Sequence, residues 1–198
     1  MSVFSDLVAD VYTLTNRPEL VDMTKLAVRS ATLKAHQTDF YPKDLYETGI
    51  EWNPVAYIQS LEYRLVVPRW RAFKYLRKYD NTTSPGTPGK FFEFLSAESI
   101  LDEYGVHEEN VCYLAGEVLQ IRSDTQDKNM LLGCYRHPDV NEATYSSWIA
   151  LDHRMAIVYG AAGIVAKATG YDEVKVDLDN MLREEYALLK QEVIGEGY

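Results

Sequence analysis

The sequence predicts an α+β fold in which helices from both ends of the chain form one bundle and a small antiparallel β insertion lies between them. Three observations predict it. Residues of about 1–40 and 147–194 carry apolar side chains three and four apart, the period of a helix with a covered face. From about 44 to 138 the pattern changes to short aromatic and β-branched runs broken by Pro and Gly, which reads as strands and turns. The third is Met155–Ala166, twelve residues without a charge. A helix apolar on every side must be covered on every side. Twelve residues rise only about 18 Å, against roughly 30 Å for a membrane core, so this is a buried central helix and not a span. All 198 residues fit a single domain, 1–198, with an insertion.

Taken in order, Met1–Thr15 forms an opening helix with Phe4, Leu7, Val8, Val11 and Tyr12 on one face. Asn16–Pro18 punctuates, and Pro18 suits the first turn of a second helix running to about Gln37. Leu20, Met23, Ala27, Ala31 and Lys34 or Ala35 make its inner stripe, with Lys25 and Arg29 outward, so the two helices form a hairpin. Tyr46–Trp52 is a strand closed by Pro54, and Ala56–Tyr63 and Val66–Tyr79 are two further extended segments. Pro68 lacks the N–H a ladder needs, which places the start of the latter at a sheet edge.

Asn81–Gly89 reads as an exposed loop. Its Gly89-Lys90 ending invites a phosphate-loop reading, but Ser84 stands where the first glycine belongs and Phe91 replaces the metal-holding hydroxyl. Phe91–Leu95 is a strand, and Ser96 caps a short helix, Ala97–Tyr104, stopped by Gly105. Asn110–Ala115 and Glu117–Arg122 are strands about a bulge or tight bend at Gly116. After a polar turn, Ser123–Asn129, Met130–Arg136 returns antiparallel to its predecessor, and Pro138 closes it. Asp152 suits the N-cap of the apolar helix and Gly170 its stop. Its two glycines cost about 1 kcal/mol each relative to alanine, so close approach of neighbouring backbones is the compensation. Those neighbours belong to this domain or to a second subunit, the first being preferred. Tyr171–Ile194 is a last amphipathic helix, with Val174, Leu178, Leu182, Leu189 and Val193 inward and Asp177, Glu184 and Lys190 among its polar residues.

Composition bounds the function. Apolar content of 46% and charged content of 25% are those of a globular chain. A net charge of −10 argues against holding DNA through its phosphates. Arg69, Arg71, Lys74, Arg77 and Lys78, interleaved with Trp70, Phe73 and Tyr75, admit a nucleic-acid strip. Against so acidic a total, a strand showing charge to solvent or to an acidic neighbouring subunit is preferred. Fifteen tyrosines and three tryptophans suit surfaces that become interfaces. Met1–Asp10 shows no secretory signal, and two cysteines in a chain able to fold without staples fit a reducing compartment. Cys112 and Cys134 are expected half-buried on neighbouring strands, a disulfide between them remaining the lesser alternative.

The search for chemistry yields little. His36, His107, His137 and His153 lack a partner histidine or cysteine at metal-ligand spacing, and Asp152 beside His153 reads as structural. Asp124 with Asp127, and Asp177 with Asp179, lack the glycine and terminal glutamate of a calcium loop. No metal and no cofactor is expected. Asp102, Glu103, Glu108 and Glu109 about Tyr104 allow a small acidic hydrolase site as a rival reading. No serine stands in a nucleophile elbow, although triad members meet only in space.

The order of elements, together with Asp102-Glu103-Tyr104-Gly105, Val111-Cys112-Tyr113-Leu114-Ala115-Gly116, Leu131–Pro138, Trp148-Ile149 with its helix, and Gly170-Tyr171-Asp172-Glu173, resembles the head-to-tail adaptor (connector) proteins of tailed phages, the tail-tubular-A-like adaptors of short-tailed phages among them. The resemblance implies a structural virion protein, not an enzyme, assembled in the host cytoplasm and placed at the head–tail junction. It implies a ring of about twelve copies beneath the portal protein, continuing the DNA channel and meeting the tail nozzle or tail tube protein. Genomic DNA would pass without specific binding, and no membrane is involved. Carried onto this chain, a C-terminal arm of Glu192, Val193, Ile194, Gly195, Glu196, Gly197 and Tyr198 would reach the portal. Arg69, Trp70, Arg71, Lys74, Tyr75 and Arg77 would meet acidic neighbouring subunits. The β insertion from Phe91 to Arg136 would face the next tail component or a neighbour. Nothing supports carrying over the cell-wall-degrading activity of some adaptors. A tail-nozzle or other neck component is the alternative within the same particle.

Overall fold

The computed structural model describes residues 2–51, 58–80, 87–96, 109–123 and 129–195. Contacts gather into two units, one of residues 1–44 with 137–198 and one of residues 45–136, and the class is α+β.

In the first unit, helix α1 (Val3–Thr15) begins at Ser2, whose hydroxyl accepts from the Ser5 N–H at 3.3 Å, and ends at Asn16 in the left-handed region (φ 50°). The next helix, α2 (Val21–Gln37), starts later than Pro18 suggested. Pro18 instead sits in a turn closed by the Leu20 N–H on the Arg17 carbonyl, where its fixed φ serves equally well. After a 3₁₀ turn, Pro42–Asp44, the chain leaves this unit and returns at His137. Helices α4 (Trp148–Asp152), α5 (Arg154–Ala168) and α6 (Asp172–Gly195) complete it.

The expected cap at Asp152 is corrected. Ser147 caps α4 instead, and α5 follows after a break at His153, whose φ and ψ of −131° and 52° are not helical. Asp152 ends α4 and pairs with Lys43 at 3.2 Å. Gly170 does stop α5: at φ +79° its N–H reaches the Lys167 carbonyl while the Tyr171 N–H reaches that of Ala166, a left-handed closure glycine adopts without strain.

Helix α5 touches α1, α2, α4 and α6, so most of its apolar surface is covered within its own unit, with Ile164 still 37% exposed. Ala156, Ile157, Val158, Ala161, Ala162, Gly163, Val165 and Ala166 are buried, joined by Phe4, Leu7 and Val11 of α1 and Ala27, Val28 and Ala31 of α2. On α6, Leu178, Leu182 and Leu189 face inward as expected, but Val174 does not, being 45% exposed. The side chain of Val193 lies outside the described residues.

The second unit holds two four-stranded sheets. In one, β1 (Leu45–Glu51), β8 (Asn129–Arg136), β3 (Trp70–Asp80) and β4 (Thr87–Phe91) lie in the order β1-β8-β3-β4. In the other, the order is β2-β7-β6-β5, from β2 (Ile58–Leu61), β7 (Val118–Arg122), β6 (Val111–Ala115) and β5 (Glu93–Phe94). A short helix, α3 (Tyr63–Val66), precedes β3. Leu76, Met130, Leu132 and Cys134 of the first sheet and Cys112, Leu119 and Ile121 of the second share one buried cluster.

This arrangement corrects several expectations. Met130–Arg136 does not return beside Glu117–Arg122: β8 pairs with β1 and β3, while β7 has both sides taken by β2 and β6. The start of β3 does lie at an edge, as Pro68 suggested: Trp70–Tyr75 pair with β8 alone, and β4 joins only from Arg77. Thr87–Gly89 of the expected loop is strand, and the run from Phe91 to Leu95 divides at Phe92, which passes from one sheet to the other. The two cysteines are fully buried free thiols on strands of different sheets. Gly116, at φ +63°, makes the expected tight turn between β6 and β7. The expected helix Ala97–Tyr104 lies outside the described residues.

Burial pushes the Cys112 thiol up from 9.0 to about 12, and Cys134 to about 11 against the opposing charge of Arg136. Above pH 9 the unfolded chain releases a proton that the native unit retains, so native stability falls with rising pH. The contribution is whole below about pH 9 and is lost toward about pH 12, at ~1.4 kcal/mol per pH unit for Cys112. Urea midpoints between pH 8 and 10.5 are expected to drop, and Cys112→Val is expected to flatten the drop. An unchanged slope in that variant would assign it elsewhere.

Candidate functional site

A buried polar cluster of the helical unit is built by four residues from three elements. His36 comes from the last turn of α2, Asp44 from the 3₁₀ turn, and Ser147 and Trp148 from the start of α4. Ser147 Oγ lies 2.9 Å from His36 Nε2, and His36 Nδ1 lies 2.7 Å from Asp44 Oδ1. The Trp148 indole N–H donates to the same Asp44 oxygen at 2.8 Å. A carboxylate oxygen accepts, so Nδ1 carries the proton and Nε2 is free to accept from the Ser147 hydroxyl. Tyr145, 2.7 Å from Thr32 Oγ1, extends the network, and burial raises its phenol pKa while its hydrogen bonds with Thr32 and Ser147 lower it.

Serine, histidine and aspartate bonded in this order have the connectivity of a hydrolytic triad. Their setting suits another task. His36 is 1% exposed, Ser147 6% and Asp44 8%, and the Ser147 hydroxyl already accepts from the Ala150 N–H at 3.2 Å as the cap of α4. A nucleophile needs an open approach to its oxygen, and these atoms are enclosed by Tyr41 and Trp148, whose rings meet edge to face at 5.3 Å. What the trio does chemically is satisfy buried polar groups while tying α2, the 3₁₀ turn and α4 together. Nearby, Glu142 bridges Lys25 at 3.0 Å and Arg29 at 2.8 Å, fastening the segment before α4 to α2.

The clasp was missed in the sequence. His36 and Asp44 are 8 residues apart and Ser147 is a further 103 on, so no spacing marks them. The one local signal was Ser147 before an apolar helix, and it was assigned to Asp152.

The six expected interface residues do not share a surface. Trp70 packs against the β core with its ring 4.4 Å from Tyr63, and Phe73 stacks on Phe94 at 4.7 Å. Tyr75 lies on the other face over Gly133, where an added Cβ would fall 2.5 Å from the ring. The Arg77 guanidinium covers Tyr75 and Phe91 at 5.6 and 5.8 Å and approaches Glu47 at 3.8 Å. Lys74 lies over Tyr135 at 5.7 Å. Arg69 is exposed at φ +63° just before the strand, and Arg71 is partly exposed. Strand alternation and two bulges divide the run between two faces, so its rings form no continuous stacking strip.

Helix α6 carries the backbone of Glu192, Val193, Ile194 and Gly195 in helical form, while Glu196, Gly197 and Tyr198 lie outside the described residues. So do Asp102, Glu103, Tyr104 and Glu108 of the acidic rival site, and His107, Asp124 and Asp127; Glu109 is exposed just before β6. Among the described residues no group of three histidine, cysteine or acidic side chains is placed to hold a metal, and no helix is long and apolar enough to cross a membrane. No protein-family model and no curated protein matches the chain.

Proposed function

We propose that the chain is a head-to-tail adaptor of a tailed phage, a structural protein that joins portal to tail as a ring of copies. The observation that carries this reading is the architecture: a helical unit built from both ends of the chain, with a β unit inserted between Asp44 and His137, in the element order on which the resemblance rests. A second feature supports a working surface on α6. Val174, Met181 and Leu188 are 45%, 44% and 54% exposed and seven residues apart, which places them along one side of the helix, with Tyr171 exposed just ahead. A net charge of −10 suits a channel through which a phosphate backbone must pass without adhering.

Mixed with the portal assembly of the same particle, the chain is expected to add a ring visible by negative-stain microscopy. A Met181→Glu, Leu188→Glu variant is expected to lose the ring with a thermal midpoint lowered by no more than a few degrees, because both residues are already about half exposed in the single chain. Failure of the parent chain to join the portal, or direct binding to the tail nozzle alone, would overturn the reading.

A further inference from the structure

A cavity of about 300 Å³ opens between α2, α5 and α6 of the helical unit. Its floor is Gly160, Gly163 and Ile164 of α5, with Ala31 and Leu182 beside them, and its rim carries Lys34, Lys167, Lys175 and Tyr186. We infer that this cavity binds a small amphiphilic anion, a carboxylate or phosphate group on a short apolar stem.

Charge is the first argument. The chain has ten more acidic than basic groups, yet among the described residues only one carboxylate lines this cavity, Asp179, and it is bound to Lys175. Lys34 and Lys167 make no ion pair with any described residue. Two ammonium groups with no carboxylate partner among the described residues therefore border one concave site, where low-dielectric walls focus their field. Both stand in the last turns of their helices, where the dipole favours a cation. The dipole accounts for a lysine on each helix, but not for both lining the same cavity.

Shape is the second argument. An added Cβ at Gly160 would meet Ala31 at 3.3 Å and Leu182 at 3.8 Å, so glycine there lets α5 approach α2 and α6. At Gly163 the nearest atom is Asp179 Oδ1 at 3.6 Å, so the missing side chain leaves room that the helices do not fill. The floor is apolar and the rim cationic, which is the lining that orients a ligand with an apolar stem and one charged end. Burial pushes the Tyr186 phenol up to about 12, so it remains an O–H donor at neutral pH, and it makes no hydrogen bond with a described residue.

The test uses the full chain labelled with ¹⁵N and titrated at pH 7.5 with octanoate, octyl phosphate, inorganic phosphate and octylammonium. Octanoate or octyl phosphate is expected to shift the Gly160 and Gly163 amide resonances saturably, the tighter of the two identifying the head group. Inorganic phosphate is expected to bind at least tenfold more weakly, lacking a stem. Lys34→Gln with Lys167→Gln is expected to weaken binding at least tenfold. Gly163→Leu is expected to fill the cavity and abolish binding while keeping the helix, since leucine is the better helix former. No saturable shift with either amphiphile, equal binding of octylammonium, or unchanged affinity in both variants would overturn the inference. The measurement needs no portal, so its failure leaves the adaptor reading untouched.

Discussion

Replacing His36 with leucine is expected to destabilise the helical unit by about 3–5 kcal/mol, a large share of the roughly 5–15 kcal/mol by which a domain is stable. The reason is what the change leaves behind. Asp44 Oδ1, in a side chain 3% exposed, loses the His36 donor at 2.7 Å, and the Ser147 hydroxyl loses its acceptor at 2.9 Å. A buried carboxylate that loses one of its donors costs more than the net worth of the bond that held it. The double variant His36→Leu, Asp44→Leu is therefore expected to cost less than the sum of the two single changes, because the buried carboxylate goes with its donor, while the Trp148 N–H loses its Asp44 acceptor. Urea unfolding followed by far-UV circular dichroism measures the parent, both single variants and the double variant. A loss below about 1 kcal/mol for His36→Leu, or simple additivity in the double variant, would show that the clasp does not hold these elements.

Ile157→Ala on α5 is expected to cost about 2–5 kcal/mol. Ile157 is fully buried where α5 is covered by its neighbours, and the side chains along that helix are mostly too small to close the space. The same substitution one heptad later provides the contrast. Ile164 is 37% exposed on the open side of α5, so Ile164→Ala is expected to cost under about 1 kcal/mol. Equal losses at the two positions in thermal or urea melts would mean that the covered and open sides of α5 do not differ as the structure has them.

How much of this was readable from residue order depends on the range of the force involved. The four long helices were foreseen within a few residues, because an amphipathic period and a stop such as Gly170 act through neighbours three and four positions away. The turn at Gly116 was foreseen for the same reason. Pro18 and Asp152 were misplaced because a proline suits a turn as well as a helix start, and because Ser147 competed for the capping role and won. In the β unit, alternation located the strands but not their partners. Met130–Arg136 is apolar enough to sit centrally in either sheet, and only the assembled register puts β1 and β3 on its two sides.

By itself, then, the sequence determined the α+β class, the helical ends, and a central helix too apolar to face water on most of its surface, since each follows from local spacing and the avoidance of exposed apolar area. The tertiary structure alone decided which strands pair, that Cys112 and Cys134 lie in separate sheets, and that Trp70 and Tyr75 look in opposite directions. It alone also brought His36, Asp44 and Ser147 into one hydrogen-bonded chain, and three lysines around one cavity. Pairing and convergence are settled by the burial of whole faces against one another, and no spacing along the chain records that outcome.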